Sequence, residues 1–309
     1  GIPRYFEIDP TPFLAPFFAL FLALCLTDGG YGIILALTAY LIPKKIRVGE
    51  SGERLFSILF ISGLITIVVG TITGGMFGIR LSQLPPFFGA LKRLTLFNPI
   101  KQPMVFLVLS LSLGIIHLLI GIALALWEDL KRGDVISAIL DHLSWIVLIL
   151  GAILFGLSKL GILSKFLAAP GLIMFLSGGI ILFLFIGRKS KSLLARLGKG
   201  AYELYGLISL FGDVLSYSRL LALGLATSVI ATVVNLIANM ALGIPFIGPV
   251  GMILILILGH LGNIAINTLS GFIHTARLQF VEFFGKFYEG GGGNFTPFKQ
   301  EGKYTIMEK

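Results

Sequence analysis

Apolar segments of twenty residues or more recur along this chain, and they leave it few ways to fold. A helix needs roughly twenty residues to cross the hydrocarbon of a bilayer. In lipid, every backbone N–H and C=O must be bonded within its own helix or barrel. The runs 55–79, 104–127, 135–157, 171–186, 204–242 and 252–288 therefore read as membrane helices. The first apolar run, 13–41, is broken at Thr27-Asp28-Gly29-Gly30. Its halves are short for full spans, which suits a tight two-helix hairpin turning at Asp28 or, alternatively, one long helix kinked at glycine. Counting the hairpin as two gives an all-α polytopic membrane protein with eight transmembrane helices. Composition agrees: 56% of residues are hydrophobic and only 13% charged, far less charge than a soluble chain carries. The net charge of +9 fits basic loops beside a membrane better than a nucleic-acid partner.

Residues 1–10 are a polar lead-in ending at Asp9-Pro10, 11–288 form the membrane domain, and 289–309 form a polar tail containing Gly290 to Gly293. The chain starts at Gly1 rather than Met and shows no basic n-region before a short apolar stretch. It is read as part of a longer protein without a secretory signal. Gly70, Gly74 and Gly78 have the small-xxx-small spacing that lets helices approach closely. With eight segments both ends lie on one side. The loops 43–54, 128–134 and 187–200 on that side carry four, two and five cations, against four and two in 80–101 and 159–165. The positive-inside rule then puts both termini in the cytoplasm. Cys25 has no partner for a disulfide and reads as a small packing residue.

Arg219 is the only cation of the run 204–242. A guanidinium stays charged at any ordinary pH, and at the centre of a membrane helix it costs about 2.5 kcal/mol or more. It sits too far from either end of the run to snorkel, so it is either ion-paired for structure or functional. On the last helix His260, Asn263, Asn267, Ser270, His274 and Arg277 are spaced 3, 4, 3, 4, 3. That spacing puts six polar side chains on one face, within roughly a 100° arc. The stripe reads either as an interhelical hydrogen-bond seam or as the wall of a polar path. On the Arg219 helix, Ser209, Asp213, Ser216 and Thr227 nearly share a face. Asp213 is offset from Arg219 by roughly 120°, so no direct pair is implied. Glu203 lies at the mouth of that helix, and Glu282 lies one to two turns beyond Arg277. Asp28 stands at the tip of the first hairpin. Asp141, beside His142, reads equally as part of a path or of a buried ion pair, and His117 lies in another span. No phosphate loop, dinucleotide fingerprint, nucleophile–base set or metal-ligand spacing is present in the sequence, so no cofactor or metal is expected.

Four stretches carry a resemblance: DPTPF (9–13), TDGGYG (27–32), SYSRLLALGLA (216–226) and FIHTARLQFVEFFGKFYEG (272–290). Together they resemble subunit a of vacuolar-type ATPases, called subunit I in the A/V-type enzymes of archaea and bacteria. The Gly-rich tail and Pro297-Phe298 look more like that archaeal or bacterial branch. The resemblance implies an eight-helix membrane part following a large cytosolic domain, with two long, tilted last helices against a rotating ring of proteolipid subunits. It implies that Arg219 is the essential ion-transfer arginine and Arg277 the second. By the same resemblance, Asp28 is the acid of the outer half-channel, and His274 lines a channel. With Glu203, Asp213, Ser216, His260, Asn263, Asn267, Ser270 and Glu282 they outline two offset half-channels.

Peripheral- and central-stalk subunits are implied as partners through the cytosolic domain. The location implied is the cell membrane in a prokaryote, or a vacuolar-type endomembrane in a eukaryote. The chain is then no enzyme by itself but the H⁺- or Na⁺-translocating subunit of one. Asn267 departs from the Glu of some proton-pumping members, and Asp213 and Thr227 depart from the His of eukaryotic ones. The competing readings are a stand-alone secondary transporter and a non-transporting membrane scaffold.

Overall fold

The computed structural model describes residues 3–4, 7–46, 48–80, 93–188 and 192–293. Most of the 80–101 loop, Lys189 and Lys191, and the tail beyond 293 lie outside the described residues. The helices are α1 (Thr11–Leu26), α2 (Gly29–Lys45), α3 (Glu50–Thr73), α4 (Pro103–Lys131), α5 (Val135–Lys159) and α6 (Ala168–Phe185). They continue with α7 (Leu193–Ser216), α8 (Ser218–Ala241) and α9 (Gly248–Arg277).

Among the described residues six spans are long and apolar enough to cross a membrane: α3, α4, α5, α6, the joined α7–α8 and the extended α9. The expected total of eight requires both arms of the first hairpin, yet α1 has 16 residues and α2 has 17.

The first run is broken, as the Asp28 region implies. Thr27 ends α1 in a left-handed conformation and Asp28 caps α2. The two arms meet little beyond the turn; each packs on α3. The α2–α3 seam is built on glycine. A Cβ at Gly70 would lie 2.0 Å from the Gly29 nitrogen, so the backbones themselves are in contact. Two sequence expectations fail here. The third span stops at Thr73 rather than near Ile79, and Gly74 and Gly78 are left-handed turn residues, not helix-packing ones. Directly after each of them, Gly75–Met76 and Ile79–Arg80 pair antiparallel.

Three further boundaries move. α7 begins at Leu193, inside the expected loop 187–200. The single helix expected over 204–242 is interrupted at Tyr217. The last helix starts at Gly248 and, after Arg277, continues as a π turn (Leu278–Phe283) and a 3-10 turn to Lys286. A second π turn, Ala138–Leu143, lies within α5.

The core is where α1, α3, α4, α8 and the end of α9 converge, around Phe21, Val69, Phe106, Leu118, Tyr217 and Leu278. α5 and α6 pack along each other and reach the rest through α4 and α7. At one end of the bundle, Arg4 pairs with Glu289 at 2.7 Å. Glu7 accepts from the Glu289 and Gly290 amides at 3.1 and 3.0 Å. The two ends of the membrane domain are thus held together.

Candidate functional site

Asp28 is buried at the opposite end, and its carboxylate organises two loops. Oδ1 accepts from the amides of Gly30, Tyr31 and Phe77 at 2.9, 3.2 and 2.8 Å, and Oδ2 accepts from Gly78 at 2.9 Å. One acid therefore caps α2 and fastens the β-turn that follows α3 to it. Beside it lies a cavity of about 270 Å³ lined by Thr27, Asp28, Thr73, Asn98, Ser228 and Thr232, among others.

The α9 stripe is divided by its surroundings. Asn263 and Asn267 are buried, His260, Ser270 and His274 are half-buried, and Arg277 is exposed. The stripe runs along the border of the face that α9 buries, because Ile266, Leu269 and Ile273 beside it are open. Its upper half joins a chain of hydrogen bonds. Asn267 Nδ2 donates to Asn263 Oδ1 (2.5 Å), and Asn263 Nδ2 donates to the Tyr31 hydroxyl (2.8 Å). Tyr31 Oη meets His260 Nδ1 (2.7 Å), and His260 Nε2 meets Asn235 Oδ1 (3.1 Å). Asn235 Nδ2 donates to the Phe77 carbonyl (2.7 Å). Asn235 Oδ1 therefore accepts from His260, which puts a proton on Nε2. With Tyr31 donating to Nδ1, all five bonds run in one direction. Asn263 also donates to the Thr227 carbonyl, while the Thr227 hydroxyl donates to the Cys25 carbonyl.

Arg219 lies on α8 eight residues, about two turns, before Thr227. Its side chain is 22% exposed, and Nη2 is 3.5 Å from Glu282 Oε1, on a carboxylate only 2% exposed. That separation exceeds the roughly 2.7–2.9 Å of a tight charge-assisted bond. Arg219 Nη1 and Glu282 Oε2 are buried without a hydrogen-bond partner among the described residues. The arginine is therefore neither fully neutralised nor fully exposed. Arg277, in contrast, makes no ion pair among the described residues and stands on the open flank.

At the end of the bundle that holds the termini, Asp213 pairs with Lys286 at 2.5 Å, not with Arg219. Ser216 donates back to the Gly212 carbonyl at 3.1 Å. Glu203 accepts from Trp145 Nε1 at 3.1 Å. Asp141 is ion-paired, as one of its two readings has it. Arg188 grips it at 2.5 and 2.9 Å. It also lines a second cavity, of about 280 Å³, with His142, Trp145, Glu203, Ser209 and Lys286. Asp141–His142 and Glu282 each sit in a π turn, an irregularity that recurs at functional sites.

Sequence reading missed four participants: Tyr31, Asn235, Tyr217 and Lys286. Tyr31 and Tyr217 fall inside the quoted motifs but carry no charge to mark them. Asn235 was a detectable signal, one amide alone in an apolar helix.

The cavities approach the charged centre from opposite ends. One reaches Ser228 and Thr232 of α8; the other reaches Glu203 and Ser209 of α7. Arg219 lies between, about 14 Å from Ser228 and about 15 Å from Ser209 at 1.5 Å per residue. Fold and site define a polytopic helical membrane protein with a charged centre between two cavities.

Residues 207–300 match the model of the V-type ATPase 116kDa subunit family. Over 99% of its length the chain is 38% identical to an A-type ATP synthase subunit I of Methanocaldococcus jannaschii, of which it covers 47%. It is 36% identical over its whole length to the subunit of that name from Pyrococcus abyssi, covering 46%. Over 96% of its length it is 26% identical to a V-type ATP synthase subunit I of Chlamydia pneumoniae, covering 52%. The chain spans about half the length of these curated relatives, and it belongs to their family.

Proposed function

We propose that this chain is the ion-conducting stator part of a rotary ATPase, working against a ring of proteolipid subunits. One observation supports the reading: a permanent cation, Arg219, stands between two cavities that share no lining residue, one beside Asp28, Ser228 and Thr232 and the other beside Asp141, Glu203 and Ser209. Each ring subunit would bring a carboxylate that carries one ion. In the bilayer that carboxylate has to be neutral. Beside Arg219 its ionised form is favoured, so the ion is released into one cavity. The carboxylate reloads from the other cavity after the ring has turned. The guanidinium also repels cations and so blocks a direct leak between the cavities. Its loose contact with Glu282 leaves donors for a second carboxylate. A membrane potential supplies about 2.3 kcal/mol per charge per 100 mV.

The Asn267–Asn263–Tyr31–His260–Asn235 chain carries polarity down from the Asp28 cavity, and Glu203, Asp141 and His142 form the opposite mouth. The exposed apolar residues Val229 and Val233 of α8 and Ile266 and Ile273 of α9 suit a lipid- or ring-facing flank. The clasp of Arg4 and Glu7 with Glu289 and Gly290 supports both ends lying on one side, which the excess of loop cations makes the cytoplasmic one. The transported ion is H⁺ or Na⁺.

Arg219→Leu tests the proposal. The complex should assemble and hydrolyse ATP, while ion transport coupled to hydrolysis is lost. Normal coupling in an assembled Arg219→Leu complex refutes it, and transport by the isolated chain favours a stand-alone transporter instead.

A further inference from the structure

Arg219 and Glu282 belong to different helices, and neither helix alone fixes their 3.5 Å separation. A third helix reaches behind both. His117, in the middle of α4, is fully buried. Its Nδ1 is 2.8 Å from the Tyr217 hydroxyl. Tyr217 is the residue at which α7 gives way to α8, two positions before Arg219. Tyr217 is itself wholly buried, edge-on to Phe21 at 5.6 Å. Its ring fills the hollow over Gly114, where a Cβ would lie 2.5 Å away. On its other side the His117 ring stacks on Phe283, with centroids 4.1 Å apart and planes 13° apart. Phe283 follows Glu282 directly, inside the π turn. The contacts thus form a closed circuit: Arg219, Tyr217, His117, Phe283, Glu282, and back to Arg219.

We propose that His117 is a positioning residue. Through Tyr217 and Phe283 it holds Arg219 at arm's length from Glu282, keeping the guanidinium available to a carboxylate from outside the chain. The inference rests on the ion-transfer reading of Arg219. The other charges nearby are matched differently, because Asp213 of α7 is already paired with Lys286. Without the strap, Arg219 closes onto Glu282 and pulls less on the external carboxylate. With H⁺ as the transported ion, that carboxylate then needs a higher pH to release it.

The test uses the assembled ATPase in sealed vesicles and compares His117→Leu, His117→Asn and Tyr217→Phe. Tyr217→Phe removes one oxygen and keeps the ring. It therefore carries the test if the His117 variants do not assemble. His117→Asn retains a polar group in the Nδ1 position. Coupled transport should fall about tenfold in His117→Leu and Tyr217→Phe, with partial recovery in His117→Asn. The pH midpoint of transport should also rise by about half to one unit, where one unit is a tenfold change in ionisation. A purely structural defect lowers transport equally at every pH. A midpoint that stays put or falls in an assembled Tyr217→Phe complex overturns the inference. Arg219→Leu in the same vesicles separates the two claims. If it stays coupled, the ion-transfer reading fails. If it is uncoupled while Tyr217→Phe behaves as wild type, only the positioning role fails.

Discussion

Asp28→Asn distinguishes an organising acid from one that passes ions. The carboxylate accepts four backbone amides, three on Oδ1 and one on Oδ2. Asparagine keeps one acceptor oxygen. With that oxygen in the Oδ1 position, the new Nδ2 faces the Gly78 amide across 2.9 Å, donor against donor. The bond to Gly78 is charge-assisted, of a kind contributing about 1.5–3 kcal/mol. Leaving its buried donor unmet adds about 1–3 kcal/mol of penalty; the two overlap, for a total of about 2–5 kcal/mol. At the lower bound the opened state of the 75–80 turn becomes about thirtyfold more populated. Hydrogen exchange on the purified complex, read at the Phe77 and Gly78 amides, reports that change directly. Exchange at those amides should accelerate at least tenfold, with transport falling in parallel. Unchanged exchange together with abolished transport refutes the reasoning, because Asp28 would then act on the ion and not on the loops.

Arg277→Ala should lower coupled transport less than Arg219→Leu does, because Arg277 stands exposed on the flank of α9; equal losses in a transport assay contradict this. Gly70→Ala should destabilise the membrane domain by about 1–3 kcal/mol, read as a lower Tm of the solubilised protein, since its Cβ would meet the Gly29 backbone. Gly156→Ala, where nothing lies within 4 Å, should be neutral or gain about 0.5–1 kcal/mol. Glu7 makes the terminal clasp acid-sensitive. Burial pushes its carboxyl up, but the Arg4, Gly290 and Glu289 amides and the Arg4 guanidinium outweigh that and hold it below its ordinary 4.5. Its stabilisation is therefore complete above pH 4.5 and lost as pH falls through the lowered value. Amide exchange at Glu289 and Gly290 should rise in that window in the wild type, and Glu7→Gln should remove the pH dependence.

The membrane class was legible because twenty-residue apolar runs have few folds open to them. The charged centre was legible because one arginine in such a run is costly. The α9 stripe was legible from its 3-and-4 spacing, but which of its members are buried was not. That depends on Tyr31 and Asn235 arriving from α2 and α8, and periodicity within one helix holds no information about neighbours. Asp213 illustrates the same limit. Helical geometry removed Arg219 as its partner, while its actual partner, Lys286, is 73 residues away. Asp28 shows in the sequence as a charge, without the four amides that its carboxylate accepts from. The break at Tyr217 was invisible because no Gly or Pro marks it; a buried hydroxyl bonded to another helix holds it.

The π turn at Leu278–Phe283 has a practical outcome for comparing relatives. One extra residue in a turn slips the phase of everything downstream by about 100°. A helical wheel drawn straight through Arg277 will therefore assign Glu282, Phe283 and Lys286 to the wrong sides. A single-residue gap there in an alignment with a relative would re-aim the acid opposite Arg219 while leaving every motif intact.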